Sequence, residues 1–565
     1  MTTFAAAVGE TLADHGIRHA FGVAGNGNIY FVGALTGHGV RYVPARHEGG
    51  AIGMAEAYYR TTGEVAVCTT TYGPGLTNTA TGLTEAVKRR SAVLVVCGDA
   101  PVGRPPRPTD FAQREFIESL GARAVRITDA ATARETTAEA LDLARRECVP
   151  VVLCLPDDLL KAEVPAGPAP RAATTRLLRV TPPAANELAP VLEALAGARR
   201  PLVLAGAGAW HAGAAKILAD LADELGGLLA TSVQAAGLFA GHRWSVGICG
   251  GFSSPRAAEL IDGADVVLAF GATLNTFTLH GGRIPAPDAT LVQIDLTAAP
   301  TVPRVDLAVT GDAADVAVAL LDAVRARGLG SAGWRAELGG ELGPVGWVDA
   351  PFEDRGTADR IDPRTLSAEL ARLLPPERTL VTDGGHFAGW PIMYWPAPDP
   401  AGLVFTGVGF QVIGLGFAGA VGAVAGRPDR TTVVALGDGG ALMGLPDLET
   451  LVRTAESALV VIYDDAAYGW EVHVYGDVAD PASIAFTDTD FAGVARAFGA
   501  TAAVVRSVED LDAVRSWLDR GCAGTLVLDC KVVPNVVAGF LAELAGQLQA
   551  GGGPAGAPGP GRAAA

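Results

Sequence analysis

Between residues 432 and 469 the chain writes a strand, a helix and a second strand, and both strands run into aspartates. The apolar run 432–436 leads into Gly437-Asp438-Gly439-Gly440. A second apolar run, 458–463, leads into Asp464-Asp465-Ala466-Ala467-Tyr468-Gly469. Residues 445–453 carry the apolar spacing of a helix. Apolar strands joined by a helix belong in a parallel sheet covered on both faces. In such a sheet ligands bind in the crevice outside the carboxyl ends of the strands. Here that crevice would hold two carboxylates beside a tight glycine turn, a donor set suited to a hard cation and a diphosphate. Read alone, the first cluster could equally be an ordinary turn and the second a helix cap.

The same alternation fills the chain and predicts three consecutive α/β domains with mainly parallel sheets. Strands are expected at 19–23, 42–44, 65–70, 92–98 and 151–155 in a first domain, 1–165. They recur at 200–206, 265–270 and 290–295 in a second, 184–330, and at 380–382, 432–436, 458–463 and 524–529 in a third, 361–545. Proline-rich residues 163–183 and glycine-rich residues 328–360 read as linkers. Residues 546–565 read as a disordered tail.

Composition narrows the partners. A net charge of -18 argues against nucleic acid and leaves no basic patch for a membrane surface. The seven cysteines form no CxxC pair, which suits buried free thiols in a reducing compartment. No leader or bilayer-length apolar run is visible, so a soluble cytoplasmic protein is expected.

Further segments make the reading specific. Arg46-His47-Glu48-Gly49-Gly50-Ala51, Tyr72-Gly73-Pro74-Gly75-Leu76-Thr77-Asn78, Thr382-Asp383-Gly384-Gly385-His386 with Trp390, and the glycine-rich residues 407–416 precede the aspartate clusters. In this order they resemble the motifs of the thiamine diphosphate-dependent enzymes, and most of all the acetolactate synthase-like group. The likeness covers nearly the whole chain.

The resemblance implies thiamine diphosphate and Mg2+ as cofactors. Asp438, Asp465 and the backbone carbonyl of Ala467 would hold the ion, with Gly437, Gly439, Gly440 and Tyr468 beside the diphosphate. Gly385 would face it from the other side, with His386 one place away from the family's histidine. Gly73, Pro74 and Asn78 would line the pyrimidine and reacting centre. The carbonyl near Gln411 would accept from the cofactor's 4'-amino group, and Ile413 would wedge its rings into a bent form. The cofactor's own pyrimidine must remove a very weakly acidic C2 proton, which requires a carboxyl group at N1' in a poorly hydrated site. Glu48 matches that position, although alone it would pass for an acid at a helix start. Gln113 is placed near the substrate, and Glu471 matches the catalytic glutamate of pyruvate decarboxylases. Asn26, Asn28, Trp470 and His473 are expected around the substrate.

The chain also departs from the pattern. Asp464-Asp465 replaces Asn-Asn, adding negative charge near the ion. Where acetolactate synthase carries its FAD-binding residues, this chain has Gly247-Ile248-Cys249-Gly250-Gly251 and Gly271-Ala272-Thr273-Leu274-Asn275-Thr276, without acidic or basic side chains, so FAD is not expected. The adjacent histidine pair of pyruvate decarboxylases is missing near residues 110–115. The implied activity is decarboxylation of a 2-oxo acid, pyruvate by default, with ligation of the acyl unit to a second carbonyl. A 2-oxo acid decarboxylase, an acyloin lyase and a catalytically silent regulatory homologue are the alternatives. Glu48 and Asp438 lie in different domains, and in the family they come from different subunits. A homodimer with shared active sites is therefore implied, with homotetramers as paired dimers.

Overall fold

The computed structural model describes residues 1–542 apart from 104, 106, 166, 168, 169, 171–182, 298, 331, 332 and 344. The expected tail at 546–565 and most of the linker at 163–183 lie outside the described residues. Three six-stranded sheets follow one another along the chain, and every neighbouring pair within them is parallel.

The first sheet places Arg41–Pro44, His19–Gly22, Val67–Thr70, Leu94–Asp99, Val151–Pro156 and Arg123–Arg126 side by side. The third places Leu403–Phe405, Arg378–Thr382, Thr431–Gly437, Ser457–Asp464, Gly524–Lys531 and Thr501–Val505. Numbered by chain order within each sheet, both read 2-1-3-4-6-5. The central sheet runs Ser245–Ile248, Leu228–Thr231, Pro201–Ala205, Val266–Phe270, Thr290–Asp295 and Leu307–Thr310, and reads 3-2-1-4-5-6.

Most of the expected strands are apolar and buried on both faces, such as Leu94–Asp99 and Ser457–Asp464, whereas the expected Arg41–Pro44 is a largely exposed edge strand. Most of the strands absent from the sequence reading lie at sheet edges. Arg123–Arg126 is flanked by charge and half-exposed, and Leu403–Phe405 is three residues long. Edge strands keep one side in water, so their apolar signal is weak. The glycine turn expected after residue 436 is instead the opening of a short helix, Asp438–Met443, with Gly437 as its extended N-cap.

The first and third layers pack through two helices rich in small residues, Glu48–Thr62 and Gly416–Gly426. A Cβ on Gly422 would sit 2.2 Å from the carbonyl oxygen of Met54, so only glycine permits this approach. The central layer is tied on by Gln234, whose Oε1 accepts from Arg60 at 3.1 Å and from Arg89. Phe252 of the central layer stacks on Phe540 and on Phe277, which lies tilted against Phe540. All seven cysteines are free, and five are buried. No helix among the described residues is long and apolar enough to cross a membrane.

Candidate active site

In the third sheet the strand order reverses between Arg378–Thr382 and Thr431–Gly437, the kind of position where open parallel sheets bind ligands. A cleft opens there. Gly384, Gly385, Ile413, Gly437, Gly439, Gly440, Asp465, Ala467 and Tyr468 line it, so the structure brings most of the expected cofactor residues together. Among the described residues no lysine or arginine lines it.

Asp438 follows one strand and Asp465 the next. Asp438 is 3% exposed, and its oxygens accept from Gly439 N–H at 2.8 Å and Ala467 N–H at 3.1 Å. Burial, then the neighbouring charges of Asp465 and Asp464, pushes the Asp438 carboxyl well above its ordinary range. Burial also raises Asp465, with Asp464 adding to it. Two crowded carboxylates fit a divalent cation, which would relieve that repulsion. Close approach of backbone is enforced nearby: a Cβ on Gly439 would meet the Tyr468 ring at 2.7 Å, and one on Gly440 would meet Asp383 at 2.8 Å.

The opposite wall is built by Asp383. It is fully buried and accepts from Gly384 N–H at 2.9 Å, Gly414 N–H at 2.7 Å and the Thr406 hydroxyl at 3.3 Å. It thereby joins the turn 383–385 to the loop that presents Ile413. Gln411 sits in that loop in the left-handed region, φ 57, with its side chain exposed. Glu85 reaches over from the first layer and accepts from Gly409 N–H at 2.9 Å and Phe410 N–H at 2.5 Å. Burial pushes its carboxyl up to about 6.

Beyond the acidic end lies an aromatic wall. Helix Gly469–Tyr475 carries Trp470, Glu471 and His473; Trp470 and Glu471 line the cleft. The His386 ring lies 4.4 Å from that of His473 and 5.7 Å from Trp390. His386 Nε2 accepts from Ala538 N–H at 2.9 Å, which places the ring proton on Nδ1. Burial, with His473 beside it, lowers His386 to about 3 and keeps it neutral. His386 therefore offers a neutral ring rather than a cation.

The expected residues of the first layer form their own cluster. Asn78 Nδ2 donates to Glu48 Oε2 at 3.0 Å. Gly73, at φ 63, cannot take a side chain, because its Cβ would lie 2.6 Å from Thr109 O. Pro74 opens the short helix Pro74–Thr77. Gln113 is 5% exposed; its Oε1 accepts from Gly73 N–H, while its Nε2 donates to Gly98 O and Asp99 Oδ1. Asn28 is buried, with its amide used on Gly25 N–H, Val23 O and Thr69 Oγ1, whereas Asn26 is exposed. None of these residues lines the cleft of the third layer, whose lining comes entirely from residues 363 to 536.

Sequence reasoning missed Asp383 and Glu85 as loop anchors, and Asp447 and Lys531 altogether. Asp447 is buried in helix Leu445–Thr454, close against Gly50. Its signal is an acid on the apolar face of an amphipathic helix. Lys531 is a lone cation at the end of a strand buried from Thr525 onward, opposite Asp464. Of the two carboxylates that replace Asn-Asn, Asp464 is paired with it at 2.6 Å, while Asp465 stands beside Asp438.

This geometry coincides with similarity to known proteins. Residues 2–120 match the family described as thiamine pyrophosphate enzyme, N-terminal TPP binding domain. Residues 188–320 match its central domain and residues 383–529 its C-terminal TPP binding domain. The chain belongs to the thiamine pyrophosphate enzymes. Among its relatives, a probable acetolactate synthase large subunit of Methanocaldococcus jannaschii is 25% identical, covering 90% of this chain and 88% of the relative. A probable 2-ketoarginine decarboxylase, AruI, of Pseudomonas aeruginosa is 29% identical, covering 90% of each. A sulfoacetaldehyde acetyltransferase of Alcaligenes xylosoxydans is 27% identical, covering 89% and 88%. Within the family the chain is acetolactate synthase-like.

Proposed function

We propose that this enzyme uses thiamine diphosphate and Mg2+ to decarboxylate a 2-oxo acid, pyruvate by default, and to join the acyl unit to a second carbonyl. The observation that carries this reading is the pair Asp438 and Asp465, crowded at adjacent strand ends, with Asp465 lining a glycine-walled cleft that has no lysine or arginine among its described lining residues. When bound, the cofactor supplies the group that adds to the ketone and takes up electrons as CO2 leaves. The chain's own residues do the rest. Asp438, Asp465 and the Ala467 carbonyl hold the ion. Glu48, oriented by Asn78, would hold a proton at the pyrimidine nitrogen, and Ile413 would pack against the cofactor's rings. Trp470, Glu471 and His473 orient the acid and exclude water.

Glu48 lies outside the cleft of its own chain, so we assign it to the cleft of a second copy. Phe410, Ile413, Leu442 and Met443 are 46%, 38%, 41% and 52% exposed around that cleft, an apolar surface that suits cover by a partner. A homodimer, with tetramers as paired dimers, follows from this reading. We further propose domains at 1–165, 184–330 and 361–545, a cytoplasmic location and no flavin.

Glu471 in the cleft favours one second reading, simple decarboxylation with release of an aldehyde. Incubation with thiamine diphosphate, Mg2+ and a panel of 2-oxo acids, with and without aldehydes, separates the two by mass spectrometry. Ligated products support the carboligase, free aldehyde alone supports the decarboxylase, and no CO2 from any acid would indicate a silent homologue.

A further inference from the structure

Strands Ser457–Asp464 and Gly524–Lys531 pair in register, with Asp464 directly opposite Lys531. The Lys531 ammonium lies 2.6 Å from Asp464 Oδ2. It also donates to Asp488 Oδ1 and to Thr489 O, each at 2.7 Å. Between these partners the chain leaves the sheet. Residues 465–487 carry Asp465, Ala467, the helix with Trp470, Glu471 and His473, and the short helix Pro481–Ile484. One buried ammonium therefore grips the segment at both ends. We propose that Lys531 is a positioning residue, which sets the cation ligands and the aromatic wall without touching either ion or substrate. The proposal rests on the reading of Asp465 and Ala467 as cation ligands.

Several details show a clamp beyond a counter-charge. An ammonium has three donors. It neutralises Asp464, whose side chain is 1% exposed, and the fully buried Asp529, an oxygen of which lies 3.0 Å away. It also reaches Asp488, whose side chain is 47% exposed and needs no neutralising, and the backbone carbonyl of Thr489. At the near end Asp464 Oδ1 accepts from Ala466 N–H at 3.0 Å and holds Ala466 at φ 58. That turn aims Ala467 N–H at Asp438. The excursion is closed on itself by Phe486 N–H to Ala466 O at 2.7 Å and Tyr468 N–H to Ile484 O at 2.8 Å. Arg360 adds bonds to the carbonyls of Asp464 and Val532. Loosening either end would shift the Ala467 carbonyl and Asp465 relative to Asp438, which belongs to a different strand.

The test uses the full chain and three variants: Lys531→Met, Asp488→Ala, and Asp464→Asn with Asp529→Asn and Lys531→Met combined. Limited proteolysis without ligands reads the segment directly. Free Mn2+ measured by electron paramagnetic resonance, with thiamine diphosphate present, reads cation affinity. Both single variants should speed cleavage within 465–487, and Lys531→Met should weaken Mn2+ binding about tenfold. The apparent KM for cofactor should rise, while kcat at saturating cofactor stays within about twofold, a split that a general loss of stability would not produce. The triple variant removes the ammonium together with both buried carboxylates but not the grip, so it should remain defective. Wild-type affinity in the triple variant, or unchanged proteolysis and Mn2+ binding in Asp488→Ala, would overturn the clamp. Should Lys531→Met fail to fold, the surface variant Asp488→Ala decides. Failure of the wild-type protein to bind Mn2+ would overturn the cation reading instead, and the proteolysis arm would still judge the clamp.

Discussion

Asn78 donates its side-chain amide to Glu48 across 3.0 Å, joining the turn after one strand to the first residue of helix Glu48–Thr62. The turn is itself fixed, because Gln113 accepts from Gly73 N–H and donates to Gly98 and Asp99. Glu48 thus has an orientation set by the first layer before any second copy arrives.

Replacing Glu48 by Gln keeps the size and the hydrogen bond to Asn78 but removes the acid. CO2 release from an accepted 2-oxo acid should fall about 10²–10⁴-fold with the fold unchanged by circular dichroism. Unaltered turnover would remove Glu48 from the mechanism.

Asp438→Ala opens the ion site from its most buried side. Calorimetric titration with thiamine diphosphate and Mg2+ should show affinity weaker by at least about tenfold, and chelation of wild-type protein should release the cofactor. Cofactor binding that survives both treatments would mean that no ion bridges it.

Asp447 offers a pH test away from the cleft. Burial pushes its carboxyl up to about 7, and one of its oxygens has no hydrogen-bond partner. A carboxyl raised on folding contributes stability that is full below the ordinary range of an aspartate and is lost as pH rises through about 7. Asp447→Asn cannot ionise. Its melting temperature relative to wild type should therefore climb between pH 4 and pH 8, on the order of 2–4 kcal/mol in stability. A constant offset across that range would show that Asp447 is not buried as a neutral acid.

Gly422→Val would drive a branched side chain into the carbonyl of Met54. Overpacking of this kind costs about 1–3 kcal/mol. Thermal melts should register the loss, and activity should fall with it if the two helices must stay in contact. A melt unchanged from wild type would show that this helix pair can separate without cost.

Much of the layout was legible in the sequence because buried parallel strands write continuous apolar runs. The carboxyl ends of residues 432–436 and 458–463 pointed to the cleft for that reason. Edge strands such as Arg123–Arg126 and Leu403–Phe405 were not legible, since half their surface faces water. Candidate site residues with a local signature, Asp438, Asp465 and Gly73, could be named from the sequence. Glu85 and Lys531 were not, because what they bind lies in other segments: a loop of the third layer for one, strand and loop neighbours for the other. Gln113 and Asn28 show the converse, residue types suited to a substrate whose polar groups are spent on nearby backbone.

The tie at Gln234 has an evolutionary reading. Both layers that carry the expected cofactor residues share one strand order, while the central layer has another and offers the first its Gln234 amide, held by Arg60 and Arg89. Such a layer is a cassette. Its loops can diversify or take on new ligands so long as Gln234 and the Phe252–Phe277 stack keep their places, which leaves selection free to vary roughly a quarter of the gene under few constraints from the chemistry.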